Sequence, residues 1–194
     1  MEAQWDVQDD LPAVHTAVTI DLGKVGDIHP DRKAPVGERL SLLARNEVLG
    51  EEILSRGPVF RECEIRGDQV WLRFDHVNGG LAAAGKRLQG FTIADADRRF
   101  VWADTEIDGN DAVVCRSDRV GTPVAVRYAM TDKTPFSLYN AAGLPSGPFR
   151  TDDWSVDTPR HKSRQVGCVR AETSPVIDGK LDETIWEQAS AIDQ

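Results

Sequence analysis

Gln69-Val70-Trp71-Leu72-Arg73-Phe74-Asp75 places apolar residues at 70, 72 and 74, with Trp71 and Arg73 between them. A pleated strand sends alternate side chains to opposite faces, so this is the pattern of a strand with one buried face. Runs rich in β-branched and aromatic residues recur around it at 59–65, 90–95, 99–107, 111–116 and 123–130. Turn residues separate them: Gly67-Asp68, Asn78-Gly79-Gly80, Asp108-Gly109-Asn110 and Gly121-Thr122-Pro123. Short strands at this spacing predict an antiparallel β-sandwich over residues 58–154, with a core of its own.

Upstream the texture differs. Ala17-Val18-Thr19-Ile20 predicts a short strand over 17–22, followed by a loop carrying Asp27-Ile28-His29-Pro30. A helix is signalled over 35–49, where Val36, Leu40, Leu43 and Ala44 recur at three-to-four spacing, Pro35 suits the first turn and Gly50 suits the stop. Strand, polar loop and helix make an α/β arrangement, and such folds place chemistry on loops at the carboxyl ends of strands. Residues 1–57 are too few to build such a domain. The fold class read from the sequence is therefore an α/β fragment followed by an antiparallel β-sandwich. Residues 155–170 read as a linker, polar over Asp157 to Gln165. Residues 171–194 open a third unit with Pro175-Val176-Ile177-Asp178-Gly179, Ile185-Trp186 and Ala189, cut off before it could bury a core.

Composition removes several function classes. Of the 194 residues 40% are hydrophobic, enough for a packed core, and the net charge of -9 argues against a nucleic-acid partner, which needs a concentrated Lys/Arg surface. Cys63, Cys115 and Cys168 lack CxxC or Cys/His spacing, so no disulfide framework or structural zinc is indicated and they read as buried small hydrophobes. No metal or cofactor is expected. No stretch approaches the roughly 20 apolar residues of a membrane span, and Met1-Glu2-Ala3-Gln4-Trp5-Asp6 lacks the regions of a signal peptide. Nothing in the chain addresses it to a compartment.

Three local sequences together resemble a known family. They are Asp21-Leu22-Gly23 with Asp27-Ile28-His29-Pro30 and Val36-Gly37-Glu38-Arg39-Leu40; then Phe91-Thr92-Ile93-Ala94 with Phe100-Val101-Trp102-Ala103; and Pro123-Val124-Ala125-Val126-Arg127-Tyr128 with Leu138-Tyr139-Asn140, Gly143-Leu144-Pro145 and Pro148-Phe149-Arg150-Thr151-Asp152. In this order, over about residues 1 to 154, they resemble the C-terminal half of the sialate O-acetylesterase family of SGNH-type hydrolases. Val176 to Ala189 is similar to the opening of carbohydrate-binding module family 9-like domains. The resemblance implies hydrolysis of acetyl esters on sugars by a Ser/His/Asp mechanism, with an acetylated sugar or glycan as substrate and a periplasmic or secreted parent protein. It matches the catalytic histidine to His29, with Asp27 as the nearest candidate for its carboxylate partner. A neutral imidazole can take a serine proton at physiological pH, and an orienting carboxylate fixes its tautomer. SGNH hydrolases commonly place that aspartate three residues before the histidine; here that position is Gly26, and Asp27 lies two before.

Asp27 and His29 are equally what a solvated surface loop would carry. Residues 1–16 contain no serine, and the serines elsewhere lack a nucleophile elbow, so the nucleophile half of the catalytic domain is an expected missing partner and the chain alone is expected to be inactive. The alternative is a non-catalytic accessory β-sandwich and carbohydrate-binding fragment. Three weaker candidates read structurally. The stretch 143–154 is expected to close the sandwich, with Arg150 paired to Asp152 or Asp153, rather than to present Arg150 and Trp154 to a sugar. His76 is turn-adjacent without ligand spacing, and Trp71 and Trp102 are expected in the core.

Overall fold

A computed structural model describes residues 7, 8, 10, 11, 13–24, 27, 29, 31–130 and 136–155. Apart from Ser155, the expected linker and the unit over 171–194 lie outside the described residues. Met1–Asp153 forms one compact unit and Trp154–Gln194 a second. Among the described residues the first is mostly antiparallel sheet, with an α-helix over Ala34–Leu43 and helical residues at 7, 8 and 10.

The quoted 69–75 stretch is a strand, and Val70, Leu72 and Phe74 are its buried face. The strands are β1 (Val59–Arg66), β2 (Gln69–Asp75), β3 (Leu81–Ala83), β4 (Phe91–Ala94), β5 (Val101–Trp102), β6 (Asp104–Asp108), β7 (Ala112–Arg116), β8 (Ala125–Tyr128), β9 (Leu138–Asn140) and β10 (Phe149–Arg150). They form one four-stranded sheet in the order β1-β2-β7-β6, another in the order β10-β8-β4-β5, and the pair β3-β9. The tight connections fall where glycine permits them: Gly67 and Gly109 both have φ of +63°, in the left-handed region open to a residue without Cβ.

Buried side chains from both four-stranded sheets share one apolar cluster, which includes Leu72, Phe74, Val113, Phe91, Ile93 and Tyr128. Phe149 closes it. Its ring stacks on Phe60 at 4.7 Å between centroids and meets Phe74 at 5.5 Å and Tyr128 at 5.6 Å. Phe149 is partly buried, so it gains part of the roughly 1.5–3 kcal/mol that full burial of such a side chain contributes, and this contact adds to the two residues of ladder that hold β10.

The single run expected over 99–107 divides into β5 and β6, which pair with β4 and β7 in different sheets. Between them Ala103 donates its N–H to Phe91 O at 3.1 Å. The chain thus turns a corner from one sheet to the other, and Trp102, expected in the core, is 57% exposed on the outside of that corner. Cys63 also differs from expectation: it is exposed on β1, an edge strand, whereas Cys115 is buried in β7.

The strand expected over 17–22 is absent. Residues 14–19 have no regular structure and 20–22 form a turn closed by Leu22 N–H to Thr19 O at 3.0 Å. A strand needs a neighbour to pair its backbone groups, and no described strand pairs with residues 17–22. The helix is formed as α1 (Ala34–Leu43) with Pro35 in its first turn, and it continues as a π-helical turn over Ala44–Val48. Gly50, at φ +71°, ends it as expected. Arg39 and Leu43 face inward, while Leu40, Val48 and Leu49 are 51%, 75% and 68% exposed.

Gly57 stands where the α1 segment meets β1. A Cβ there would lie 2.0 Å from the Pro145 carbonyl oxygen, so only glycine admits this backbone approach. Asn140 secures the same region. Its side-chain amide donates to Arg56 O and His76 O at 3.0 Å each, and its Oδ1 accepts from Leu144 N–H at 3.0 Å.

Candidate active site

The loop carrying Asp27 and His29 hangs between two fixed points. On one side Leu22 is buried and Asp21 accepts two hydrogen bonds from Arg39, Nη1 to Oδ1 at 2.6 Å and Nη2 to Oδ2 at 2.7 Å. On the other, α1 begins at Ala34. Arg39 Nη1 also donates to Val18 O at 2.6 Å, and Tyr139 of β9 donates its hydroxyl to Asp21 Oδ2 at 3.4 Å. One buried carboxylate therefore joins the segment before the loop, the helix after it and the sheet body.

Within the loop, Asp27 N–H donates to Lys24 O at 3.2 Å, and the Lys24 ammonium pairs with Asp31. Asp27 Oδ1 accepts the backbone N–H of His29 at 2.7 Å. This is an Asx-type turn, which spends one carboxylate oxygen on the backbone two residues on. Both residues are exposed. The two sequence-derived candidates thus share one turn, joined through the histidine's backbone.

No serine among the described residues is set up as a nucleophile beside them. The buried Ser55, Ser137 and Ser146 hydroxyls are occupied structurally: Ser55 donates to Asn46 Oδ1 at 3.2 Å, Ser137 accepts the Gln89 N–H at 2.6 Å, and Ser146 donates to Gly147 O at 3.3 Å. The cavity behind Arg39, lined by Thr16, Val18, Ser55 and Pro145, holds about 20 Å³. That is space for one water rather than a sugar.

The weaker candidates resolve individually. Arg150 pairs with Asp152 at 3.6 Å, and Asp152 also takes both hydrogen bonds of Arg127, at 2.7 and 2.8 Å, so 149–152 is a packed structural segment as expected. His76 lies directly after β2, two residues before the turn at Asn78-Gly79, at φ +57° with its carbonyl held by Asn140. Among the described residues no group of three or more His, Cys, Asp or Glu side chains is placed to hold a metal. Nor is any described helix long and apolar enough to cross a membrane. Trp71 is half-buried, with the Arg66 guanidinium 4.5 Å from its ring centroid.

Sequence reasoning named Asp21, Arg39 and Tyr139 only as parts of motifs. The local pattern does not mark their connection: the apolar phase read from the sequence is Val36, Leu40, Leu43 and Ala44, whereas the structure turns Arg39 and Leu43 inward.

The chain matches no protein-family model. It also matches no curated protein. Among solved structures it is similar to a crystal structure described as that of a novel carbohydrate acetylesterase from Xanthomonas citri, at 43% sequence identity and a TM-score of 0.72. The similarity covers 77% of this chain and 35% of that one. The chain spans about a third of the length of the protein it matches.

Proposed function

We propose that this chain is the histidine-bearing part of a carbohydrate O-acetylesterase of the SGNH type. In this reading residues 1–57 end its catalytic domain and 58–154 form a β-sandwich beside it. The observation that carries the reading is the 43% identity with a carbohydrate acetylesterase across 77% of the chain. The Asp21–Arg39 clamp supports it, because a catalytic loop has to be held by rigid neighbours to keep its geometry.

His29 is the general base. Its imidazole takes the proton of a serine hydroxyl as that oxygen attacks the acetyl carbonyl, then returns the proton to the sugar oxygen as the ester bond breaks. Water, deprotonated by the same imidazole, releases acetate and restores the serine. Asp27 is the carboxylate that orients the ring: Oδ1 is held by the His29 backbone, and Oδ2 is left for an imidazole N–H. The serine and its oxyanion donors belong to the part of the acetylesterase that this chain does not match. The sialate specificity, and a carbohydrate-binding module starting near residue 171, belong to the same proposal and rest on sequence resemblance.

The test is to translate the genomic DNA upstream of the Met1 codon in frame, express the extended chain and assay aryl acetate and acetylated glycan. An upstream serine in a Gly-Asp-Ser-type turn, with turnover that falls by at least about 10⁴-fold in His29→Ala, is expected. Full activity in His29→Ala overturns the assignment. The 194-residue chain alone is expected to show no turnover; turnover there that depends on one of its own serines overturns the division of the triad between segments.

A further inference from the structure

Trp102 stands at the β5–β6 corner between two open hollows. One, of about 650 Å³, has Leu88 and Phe91 among its lining residues together with Gln89, Asp104, Arg87 and Arg116. The other, of about 360 Å³, includes Thr92, Phe100, Arg119 and Arg127. The indole is 57% exposed and borders both. A large aromatic surface left in water at the edge of a concave, partly polar groove is available to stack on a ligand that the groove's polar groups orient.

The charges around it are uneven. Arg127 is already engaged by Asp152 and lies 4.1 Å over the Phe100 ring. Arg87, Arg116 and Arg119 make no ion pair among the described residues, and no oxygen of Asp104 comes within 4.0 Å of the Arg116 nitrogens, although the two residues are cross-strand partners. In a chain of net charge -9, three unengaged guanidinium groups around one exposed indole are a local reversal of sign.

We propose that this groove binds a saccharide bearing isolated carboxylates, with the sugar ring stacked on Trp102 and its carboxylate held by Arg116 and Arg87. The axial C–H face of a pyranose is apolar and slightly positive, which matches the negative face of an indole. Guanidinium forks match a carboxylate in plane. Asp104 and Gln89 accept hydroxyl hydrogen bonds. The strongly acidic remainder of the chain repels a dense polyanion, so single charges spaced along a glycan suit the groove better than a phosphate backbone. The site is separate from the Asp27–His29 loop and does not depend on ester hydrolysis, so its failure leaves that reading untouched.

The experiment follows tryptophan fluorescence and titration calorimetry of the full 194-residue chain with a glucuronic-acid-substituted xylo-oligosaccharide and with the unsubstituted oligosaccharide of equal length. The acidic sugar is expected to bind saturably. Trp102→Ala is expected to weaken it by at least about tenfold, with an unchanged circular dichroism spectrum and melting temperature. Arg87→Gln/Arg116→Gln is expected to weaken the acidic sugar about fivefold and leave the neutral one unchanged. Four results overturn the proposal: no saturable binding of the acidic sugar, binding that survives Trp102→Ala, equal binding of both sugars, or a dimer that Trp102→Ala dissolves, which would mean that a second copy covers the ring.

Discussion

Asp21 and Arg39 meet edge to edge through two parallel hydrogen bonds of 2.6 and 2.7 Å, with their side chains only 9% and 11% exposed. This pair fixes both ends of the loop that carries Asp27 and His29.

Breaking the pair on one side leaves a charge buried without a partner. Asp21→Leu or Arg39→Met alone is expected to lower stability by about 3–5 kcal/mol, and the double variant to recover much of the loss. Urea unfolding of the four proteins tests this; additive losses would show that the two side chains act independently.

The same pair gives a signed pH dependence. Burial alone would raise the Asp21 pKa, but the Arg39 hydrogen bonds and charge outweigh it and hold the folded carboxyl below its ordinary value of 3.8. The unfolded chain therefore takes up the proton first as pH falls. The stabilisation is complete above the unfolded value and is lost as pH falls through the folded one. Between about pH 5 and pH 2, Asp21→Asn is expected to show a shallower fall in stability than the unaltered chain. Parallel curves would remove Asp21 from the acid transition.

Tyr128 is buried, and its hydroxyl accepts the Leu138 N–H at 3.0 Å. Burial pushes the phenol up to about 12, so it stays neutral across the useful pH range. Tyr128→Phe keeps the ring and strands a buried backbone donor, and it is expected to cost about 1–3 kcal/mol. Loss of amide-exchange protection at Leu138 is the specific readout, since a general packing defect would spread across β8.

The exposed Leu40, Val48 and Leu49 leave an apolar face along the helix and its π turn. Such a face drives association when nothing covers it. Leu40→Glu/Val48→Lys/Leu49→Lys is expected to shift sedimentation of the 194-residue chain from oligomer to monomer without lowering its melting temperature. A monomer before substitution, or a fall in melting temperature after it, would mean that the face is covered within the chain.

The strands with at least two full periods of alternation were legible. In β2 the apolar phase set the buried face, and Gly67 and Gly109 set the turns on either side of their hairpins. What the alternation could not carry is the partner of each backbone edge. The run 99–107 is continuous in sequence yet serves two sheets, and nothing in its side chains marks the change at Ala103. The short β3, β9 and β10 span about one period or less, and long-range pairing creates them. At the candidate site, residue types and order suggested Asp27 and His29. The clamp that holds their loop joins residues 18 and 118 positions apart, beyond the reach of local pattern.

The close approach of Gly57 to the Pro145 carbonyl bears on how such a chain can be rearranged. A recombination breakpoint placed between the helical segment and β1 looks convenient in sequence, but the two sides were shaped against each other at van der Waals distance. A module exchanged there has to bring its own 144–147 loop with it, or retain glycine on one side and the same backbone path on the other. The join is inherited as a matched set, and engineered fusions of this β-rich unit should cut elsewhere.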